Sequence, residues 1–135
     1  MGTANGGLMV EFMKKILVAE DDKGLSYSID TWLTLEGFEV VTVYNGEEAF
    51  NALKNHPYDL LITDIAMPRL NGYELIKKVR GEMPELPVLV VSGKLDPELV
   101  GSLEALSIRH FLHKPIKLPQ FRKMLERLFP GSVLS

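Results

Sequence analysis

The sequence contains no cysteine, which excludes disulfide bonds and catalysis by a thiolate. An excess of charge of one sign is also missing: 15 basic and 18 acidic residues leave a formal net charge of -3, with no basic surplus to hold nucleic acid. No apolar run approaches the roughly 18 residues of a membrane-spanning helix, and no signal-peptide pattern is present. We therefore expect a cytoplasmic protein that binds neither membranes nor DNA or RNA directly.

The length of 135 residues and the hydrophobic content of 46% suit one ordinary domain with a single core. The first dozen residues, MGTANGGLMVEF, are rich in small residues and lack periodicity, and a second methionine, Met13, follows them. We predict that residues 1–13 are a disordered tail or a cloning remnant, that 14–130 form the domain and that 131–135 are a C-terminal tail. The segment 130–132 (PGS) also fits the start of a linker, so the domain either stands alone or belongs to a longer protein.

Short apolar runs alternate with segments of helical period from Lys14 onward, which is the pattern of a parallel sheet covered by helices on both faces. The strand candidates are residues 16–19, 38–43, 58–63, 88–91 and 109–112. Helix starts carry cap signals at Asn45 with Glu48, at Asn71 with Glu74 and at Asp96 before Pro97. Gly37 is predicted to end the first helix. The predicted fold class is α/β, a doubly wound five-stranded parallel sheet with five helices.

Polar residues follow four of the five predicted strands: Glu20, Asp21 and Asp22 the first, Asp64 the third, Ser92 the fourth and Lys114 the fifth. In an open α/β sheet ligands gather beyond the carboxyl ends of the strands, so we expect these side chains to converge. Clustered carboxylates repel one another unless a cation neutralises them, and oxygen ligands of this kind suit Mg²⁺. A carboxylate nucleophile, a metal, a lysine and a hydroxyl together favour phosphoryl transfer. Asp64 is the candidate nucleophile because it follows the central strand.

Four short motifs resemble the receiver domains of two-component response regulators. They are residues 16–22 (ILVAEDD), 64–68 (DIAMP) with Gly72, 90–93 (VVSG) and 113–115 (HKP). They occur in the family's order and at its spacing, and the resemblance covers about residues 14–130. It implies a flavodoxin-like (CheY-like) three-layer sandwich.

The resemblance also implies a metal site. Glu20 and Asp21 match the acidic pair that holds Mg²⁺, with Asp21 the more direct ligand. Asp64 matches the phosphoacceptor, which is also a metal ligand, and Ala66 matches the residue that lends its backbone carbonyl to the metal. Asp22 matches no ligand of the family, and we interpret it as the cap of the first helix.

Three further residues match the catalytic and switching positions of the family. Lys114 matches the lysine that offsets the charge of the phosphoryl group, and it is followed by Pro115, whose preceding peptide bond is usually cis in relatives. Ser92 matches the hydroxyl that reaches for the phosphoryl oxygens. Phe111 matches the aromatic residue that rotates with it, usually a tyrosine. Relatives also carry smaller residues, often glycine, where this chain has residues 106–108 (LSI).

The implied function is that of a phosphoacceptor switch. A sensor histidine kinase or a phosphotransfer protein would phosphorylate Asp64, and the surface formed by the fourth helix, the fifth strand and the last helix would then bind a downstream protein or a second copy of the chain. Such a domain is not an enzyme for external substrates, since it catalyses only its own phosphorylation and dephosphorylation.

Three other functions compete with this interpretation. The first is an interaction module of the same fold that works without phosphorylation. The second is a metal-dependent phosphatase, which needs a general acid two residues after its nucleophile, where this chain has Ala66. The third is a flavin-binding protein, whose phosphate loop would be repelled by the acidic residues 20–22.

Overall fold

The structure is a computed structural model and describes residues 13–132. Within this range, strands and helices alternate as β1 Lys15–Ala19, α1 Lys23–Leu35, β2 Glu39–Val43, α2 Gly46–Asn55, β3 Leu60–Thr63, α3 Gly72–Glu82, β4 Val88–Ser92, α4 Pro97–Glu104, β5 His110–His113 and α5 Leu118–Leu128. All strands pair in parallel in the order β2-β1-β3-β4-β5. The predicted doubly wound fold is confirmed. The tails predicted at either end lie mostly outside the described residues, so their boundaries stay a prediction.

The sheet divides the apolar interior into two cores. Because side chains alternate between the faces of a strand, Leu17 and Leu61 pack under α2, α3 and α4, whereas Ile16 and Ile62 pack under α1 and α5. Both β3 and β4 are buried along their whole length, which explains why they read as continuous apolar runs. Each fully buried aliphatic side chain contributes about 1.5–3 kcal/mol, so the two cores fix the three layers.

Strand ends differ from the predicted ones by one or two residues, because pairing between strands decides where a strand ends and single-sequence patterns do not contain it. The fifth strand is shifted by one residue to His110–His113, and β4 extends to Ser92. Ser92 therefore lies within the sheet, paired in register with His113. It occupies the last position of a buried strand.

The helices begin at the carboxyl edge of the sheet, and side chains cap four of the five described helices, all but α5. The predicted caps Asn45, Asn71 and Asp96 each accept a hydrogen bond from a backbone N–H in the first turn, and Asp22 caps α1 in the same way. Gly37 follows α1 with a φ of 93°, a conformation that glycine adopts without strain. None of the helices between residues 13 and 132 is long and apolar enough to cross a membrane.

Candidate functional site

Three carboxylates meet beyond the ends of β1 and β3. Glu20 and Asp21 follow β1, and Asp64 follows β3, where its backbone N–H donates to the carbonyl of Ala19 at 3.1 Å and so ties the two strand ends together. One oxygen from each carboxylate lies within 4.8 Å of the others. Asp21 is exposed, whereas Glu20 is 2% and Asp64 5% exposed. Two of the three charges are therefore held out of water.

Lys114 joins this cluster from the end of β5. Its ammonium lies 2.6 Å from Asp64 Oδ2 and 2.9 Å from Glu20 Oε1. The lysine backbone N–H donates to the carbonyl of Ser92 at 2.9 Å, and the peptide bond to Pro115 is cis, as the resemblance predicted. The structure thus places one amine between the two buried carboxylates.

The pKa values of these groups reflect burial and mutual contact. Burial raises the pKa of the Glu20 carboxyl, although hydrogen bonds from the Asp22 N–H and from Lys114 oppose the rise. Burial acts to lower the pKa of Lys114, but its hydrogen bonds to Asp64 and Glu20 outweigh that effect and the pKa is raised. When all four groups are ionised, two negative charges remain uncompensated. A hard oxygen donor set with surplus negative charge fits a bound Mg²⁺.

The backbone around Asp64 holds its carboxylate on one side. Asp64 Oδ1 accepts hydrogen bonds from the N–H groups of Ile65 at 2.6 Å and Ala66 at 3.3 Å. The start of α3 packs against the same segment, because a Cβ built on Gly72 would lie 2.0 Å from the Asp64 carbonyl oxygen. This contact explains physically why a glycine occupies position 72. Which way the Ala66 carbonyl points relative to a metal stays a prediction.

The side chains of Ser92 and Phe111 are engaged outside the carboxylate cluster. The buried Ser92 hydroxyl accepts a hydrogen bond from the Lys94 N–H at 3.1 Å and donates to the Lys94 carbonyl at 3.4 Å. Phe111 is half-buried in β5 and packs against the core beneath α2, α3 and α4. In this conformation the serine hydroxyl is bonded to the loop that leads into α4. Its switching role, like that of Phe111, stays a prediction.

Asp22 takes no part in the carboxylate cluster among the described residues. Its side chain caps α1 by accepting from the Leu25 N–H at 3.1 Å, and its own N–H donates to Glu20 Oε2 at 3.0 Å. The cap could be predicted from the residue type of Asp22, but the second contact could not, because every residue except proline has a backbone N–H.

A cavity of about 580 Å³ opens beside Lys114. Its lining comes from α1 and from the segment after β5 and includes Leu25, Trp32, Pro115 and Ile116. No motif or periodicity in the sequence predicted this cavity. Trp32 is the only tryptophan of the chain, so its fluorescence is a local reporter for this side of the site.

These features define a small α/β domain whose carboxylate cluster and lysine, at the carboxyl edge of the central strands, suit metal-assisted chemistry on a phosphoryl group. The chain belongs to the response regulator receiver domain family, whose model matches residues 16–126. The family's general function is phosphorylation on an aspartate with Mg²⁺, and its members act as signalling domains of two-component systems.

Similar proteins agree with this assignment. The response regulator GtcR of Aneurinibacillus migulanus is 37% identical over 103 residues, which are 76% of this chain and 42% of that protein. The transcriptional regulatory protein CrdR of Helicobacter pylori is 31% identical over 86% of this chain and 55% of its own length. The solved chemotaxis response regulator CheY4 of Vibrio cholerae has a TM-score of 0.81 at 28% identity, covering 87% of this chain and 99% of that one. The chain thus spans about half the length of these curated relatives.

Proposed function

We propose that Asp64 is the phosphoacceptor of this receiver domain and that its phosphorylation switches a surface that binds a partner. The observation that carries the proposal is the contact of one lysine ammonium with both buried carboxylates, 2.6 Å from Asp64 and 2.9 Å from Glu20. Burying two carboxylates beside each other costs stability. A function that needs their charge accounts for that cost.

The geometry supports a distinct role for each of these residues in the phosphoryl transfer. A carboxylate oxygen of Asp64 attacks the phosphorus of the donor, the new O–P bond forms, and the P–N bond to a phosphohistidine breaks with its electron pair leaving on nitrogen. Lys114 offsets negative charge on the transferred group as a point charge. Glu20, Asp21, Asp64 and the carbonyl of Ala66 would hold Mg²⁺, which when bound neutralises charge on the phosphoryl oxygens.

The proposed switch involves Ser92 and Phe111. To reach a phosphoryl group on Asp64, the Ser92 hydroxyl has to exchange its two contacts with the Lys94 backbone for the phosphoryl oxygens. That exchange frees the loop that precedes α4. We propose that the freed state changes the surface formed by α4, β5 and α5, and that a downstream protein or a second copy of the chain binds there.

The phosphoryl donor is proposed to be a sensor histidine kinase or a phosphotransfer protein, because the family works in two-component systems. The longer relatives, GtcR and CrdR, are themselves named as regulators. An output carried by a further domain of a longer protein and an output by binding alone are both compatible with a domain of this length.

Incubation with Mg²⁺ and acetyl phosphate, followed by intact-mass measurement, tests the proposal. We expect a single phosphoryl adduct that disappears in Asp64→Asn and in EDTA. Asp22→Asn is the matched control, because it removes a neighbouring charge while asparagine still caps α1. It should be phosphorylated like the wild type.

Well-folded protein that gives no adduct and does not respond to Mg²⁺ or beryllofluoride would contradict the proposal. An interaction module that works without phosphorylation would then be the better description of this chain. An adduct that persists in Asp64→Asn would instead show that another residue accepts the phosphoryl group.

A further inference from the structure

Thr63 is the last residue of β3 and directly precedes the proposed phosphoacceptor. Its side chain is fully buried and, by strand alternation, shares a face of the sheet with Leu61. A hydroxyl in such surroundings needs a hydrogen-bond partner, since leaving it without one costs stability. The Thr63 hydroxyl lies 2.8 Å from the backbone carbonyl oxygen of Asp64. A carbonyl oxygen carries no proton, so the hydroxyl is the donor.

That carbonyl belongs to the peptide group that also holds the Asp64 side chain. The Asp64 C=O and the Ile65 N–H form one planar unit, and the Ile65 N–H donates to Asp64 Oδ1 at 2.6 Å. One end of the plane is thus fixed by Thr63 and the other end fixes the carboxylate. The start of α3 confines the same plane, because Gly72 lies against the Asp64 carbonyl oxygen with no room for a Cβ.

The two hydrogen bonds act in series. A peptide group whose oxygen accepts a hydrogen bond becomes polarised, and its N–H becomes a better donor. With Oδ1 held in this way, Oδ2 is the oxygen that faces Lys114, 2.6 Å from its ammonium. Oδ1 also accepts a hydrogen bond from the Ala66 N–H at 3.3 Å, so the Thr63 hydroxyl, which contacts neither carboxylate oxygen, would act on the shorter of the two bonds to Oδ1.

We infer that Thr63 is a positioning residue for the phosphorylation of Asp64, acting through the Asp64–Ile65 peptide group. The inference rests on the proposed function of Asp64 and adds a residue that the motifs of the family did not single out. The expected effect is on rate, because a nucleophile held in its reactive orientation loses less freedom when it reacts.

The test compares Thr63→Val, Thr63→Ser and the control Thr42→Val, which makes the same change at a half-buried position of β2. Phosphorylation by acetyl phosphate with Mg²⁺ should slow about three- to tenfold in Thr63→Val, the range that one hydrogen bond of ordinary net strength is worth. Thr63→Ser should restore the rate, since serine keeps the hydroxyl. Thr42→Val should react like the wild type.

The amide proton resonance of Ile65 gives a second readout that a general loss of stability would not move. This proton lies in the bond to Asp64 Oδ1, so we expect an upfield shift in Thr63→Val and a return in Thr63→Ser. A wild-type rate in Thr63→Val, a serine variant as slow as the valine variant, or an unmoved Ile65 resonance would each overturn the inference. Thr63→Ala replaces the valine variant if valine prevents folding.

The same experiment separates this inference from the proposed function. If the wild type itself is not phosphorylated, the role of Asp64 fails and the positioning role falls with it. If the wild type is phosphorylated and Thr63→Val and Thr63→Ser are phosphorylated at the same rate as each other, only the positioning role fails.

Discussion

At the scale of single residues, Glu20 is a carboxylate in a place that disfavours its charge. It is 2% exposed, and burial raises its pKa despite hydrogen bonds from the Asp22 N–H and Lys114. A raised pKa means that the folded protein holds the proton more tightly than the unfolded chain. The charged form at neutral pH therefore costs stability, and the cost disappears as the pH falls through the raised pKa.

Replacing Glu20 by glutamine should stabilise the metal-free protein at neutral pH, because the amide keeps the shape of the side chain without its charge. The gain should shrink as the pH is lowered toward 4.5, the ordinary pKa of a glutamate carboxyl, because the wild-type carboxyl then takes up a proton of its own. Thermal unfolding in EDTA at both pH values measures this, with the exposed Glu82→Gln as the control. A Glu20→Gln variant less stable than the wild type would mean that pairing with Lys114 outweighs burial.

At the scale of secondary-structure elements, α1 and α4 end in the same motif with different residues. Gly37 and Ser107 follow these helices with φ values of 93° and 63°. In both places the next residue donates its N–H to the carbonyl five residues earlier, at 3.0 and 3.1 Å, which is the hydrogen bond of a Schellman motif. The position takes glycine without strain, whereas serine is strained there.

Ser107→Gly should stabilise the protein by about 0.5–1 kcal/mol, which is the relief of left-handed strain less the entropy that glycine adds to the unfolded chain. Gly37→Ser should destabilise it by about 1 kcal/mol. Open space surrounds a Cβ at position 37, so the effect is one of the backbone alone. Urea unfolding of both variants measures the difference, and changes of the same sign in the two would contradict the motif argument.

Arg80 of α3 donates hydrogen bonds to the backbone of three segments. Its Nε donates to the carbonyl of Leu106 at 2.8 Å, and its Nη1 donates to the carbonyls of Leu86 at 2.7 Å and Met83 at 3.5 Å. The end of α3, the approach to β4 and the turn after α4 therefore share one guanidinium. Burial lowers the pKa of Arg80, but arginine stays charged throughout the accessible pH range.

Arg80→Met should destabilise the protein by about 2–3 kcal/mol, because methionine fills the space but leaves the carbonyls of Leu86 and Leu106 without the hydrogen bonds that the guanidinium donates. The matched control is Arg127→Met on the exposed side of α5, which should stay within about 0.5 kcal/mol of the wild type. Chemical denaturation of both variants measures the difference. Equal losses would show that the charge, rather than the three contacts, matters.

These elements also show how far the sequence could predict the molecule. Apolar runs and cap residues predicted the sheet, the helices and the cluster of acids with Lys114, because those features depend on residue type. The roles of Arg80, Thr63 and the Asp22 N–H could not be predicted, since each acts through a backbone group that every residue possesses. Ser92 belongs to both classes. Its position followed from the motif, whereas its bonding to the backbone of Lys94 required the structure.

At the scale of the whole molecule, the fold and the proposed metal site are linked by charge. Three carboxylates from two strand ends meet one ammonium, so the metal-free fold holds repulsion that the unfolded chain does not. A cation that binds only the folded state removes this repulsion and stabilises the fold by mass action. The size of the effect depends on the free Mg²⁺ concentration relative to its Kd.

Mg²⁺ should raise the stability of the wild type by about 1.4 kcal/mol at a free concentration tenfold above its Kd. Asp21→Asn should lose most of that gain, because it removes one of the three clustered carboxylate oxygens proposed to hold the ion. Asp22→Asn should keep the gain. Thermal unfolding with and without Mg²⁺ measures the three proteins, and a titration followed by Trp32 fluorescence supplies the Kd.

The comparison of these two neighbouring substitutions decides where the ion binds. Both remove one negative charge from the same loop, so any general effect of charge on Mg²⁺ attraction is shared between them. Of Asp21 and Asp22, only Asp21 has a carboxylate oxygen within 4.8 Å of carboxylate oxygens of Glu20 and Asp64. If Mg²⁺ stabilises both variants as much as it stabilises the wild type, Asp21 is not a ligand. If both variants lose the same part of the stabilisation by Mg²⁺, the loop acts only through its charge. The proposed three-carboxylate site would then be wrong.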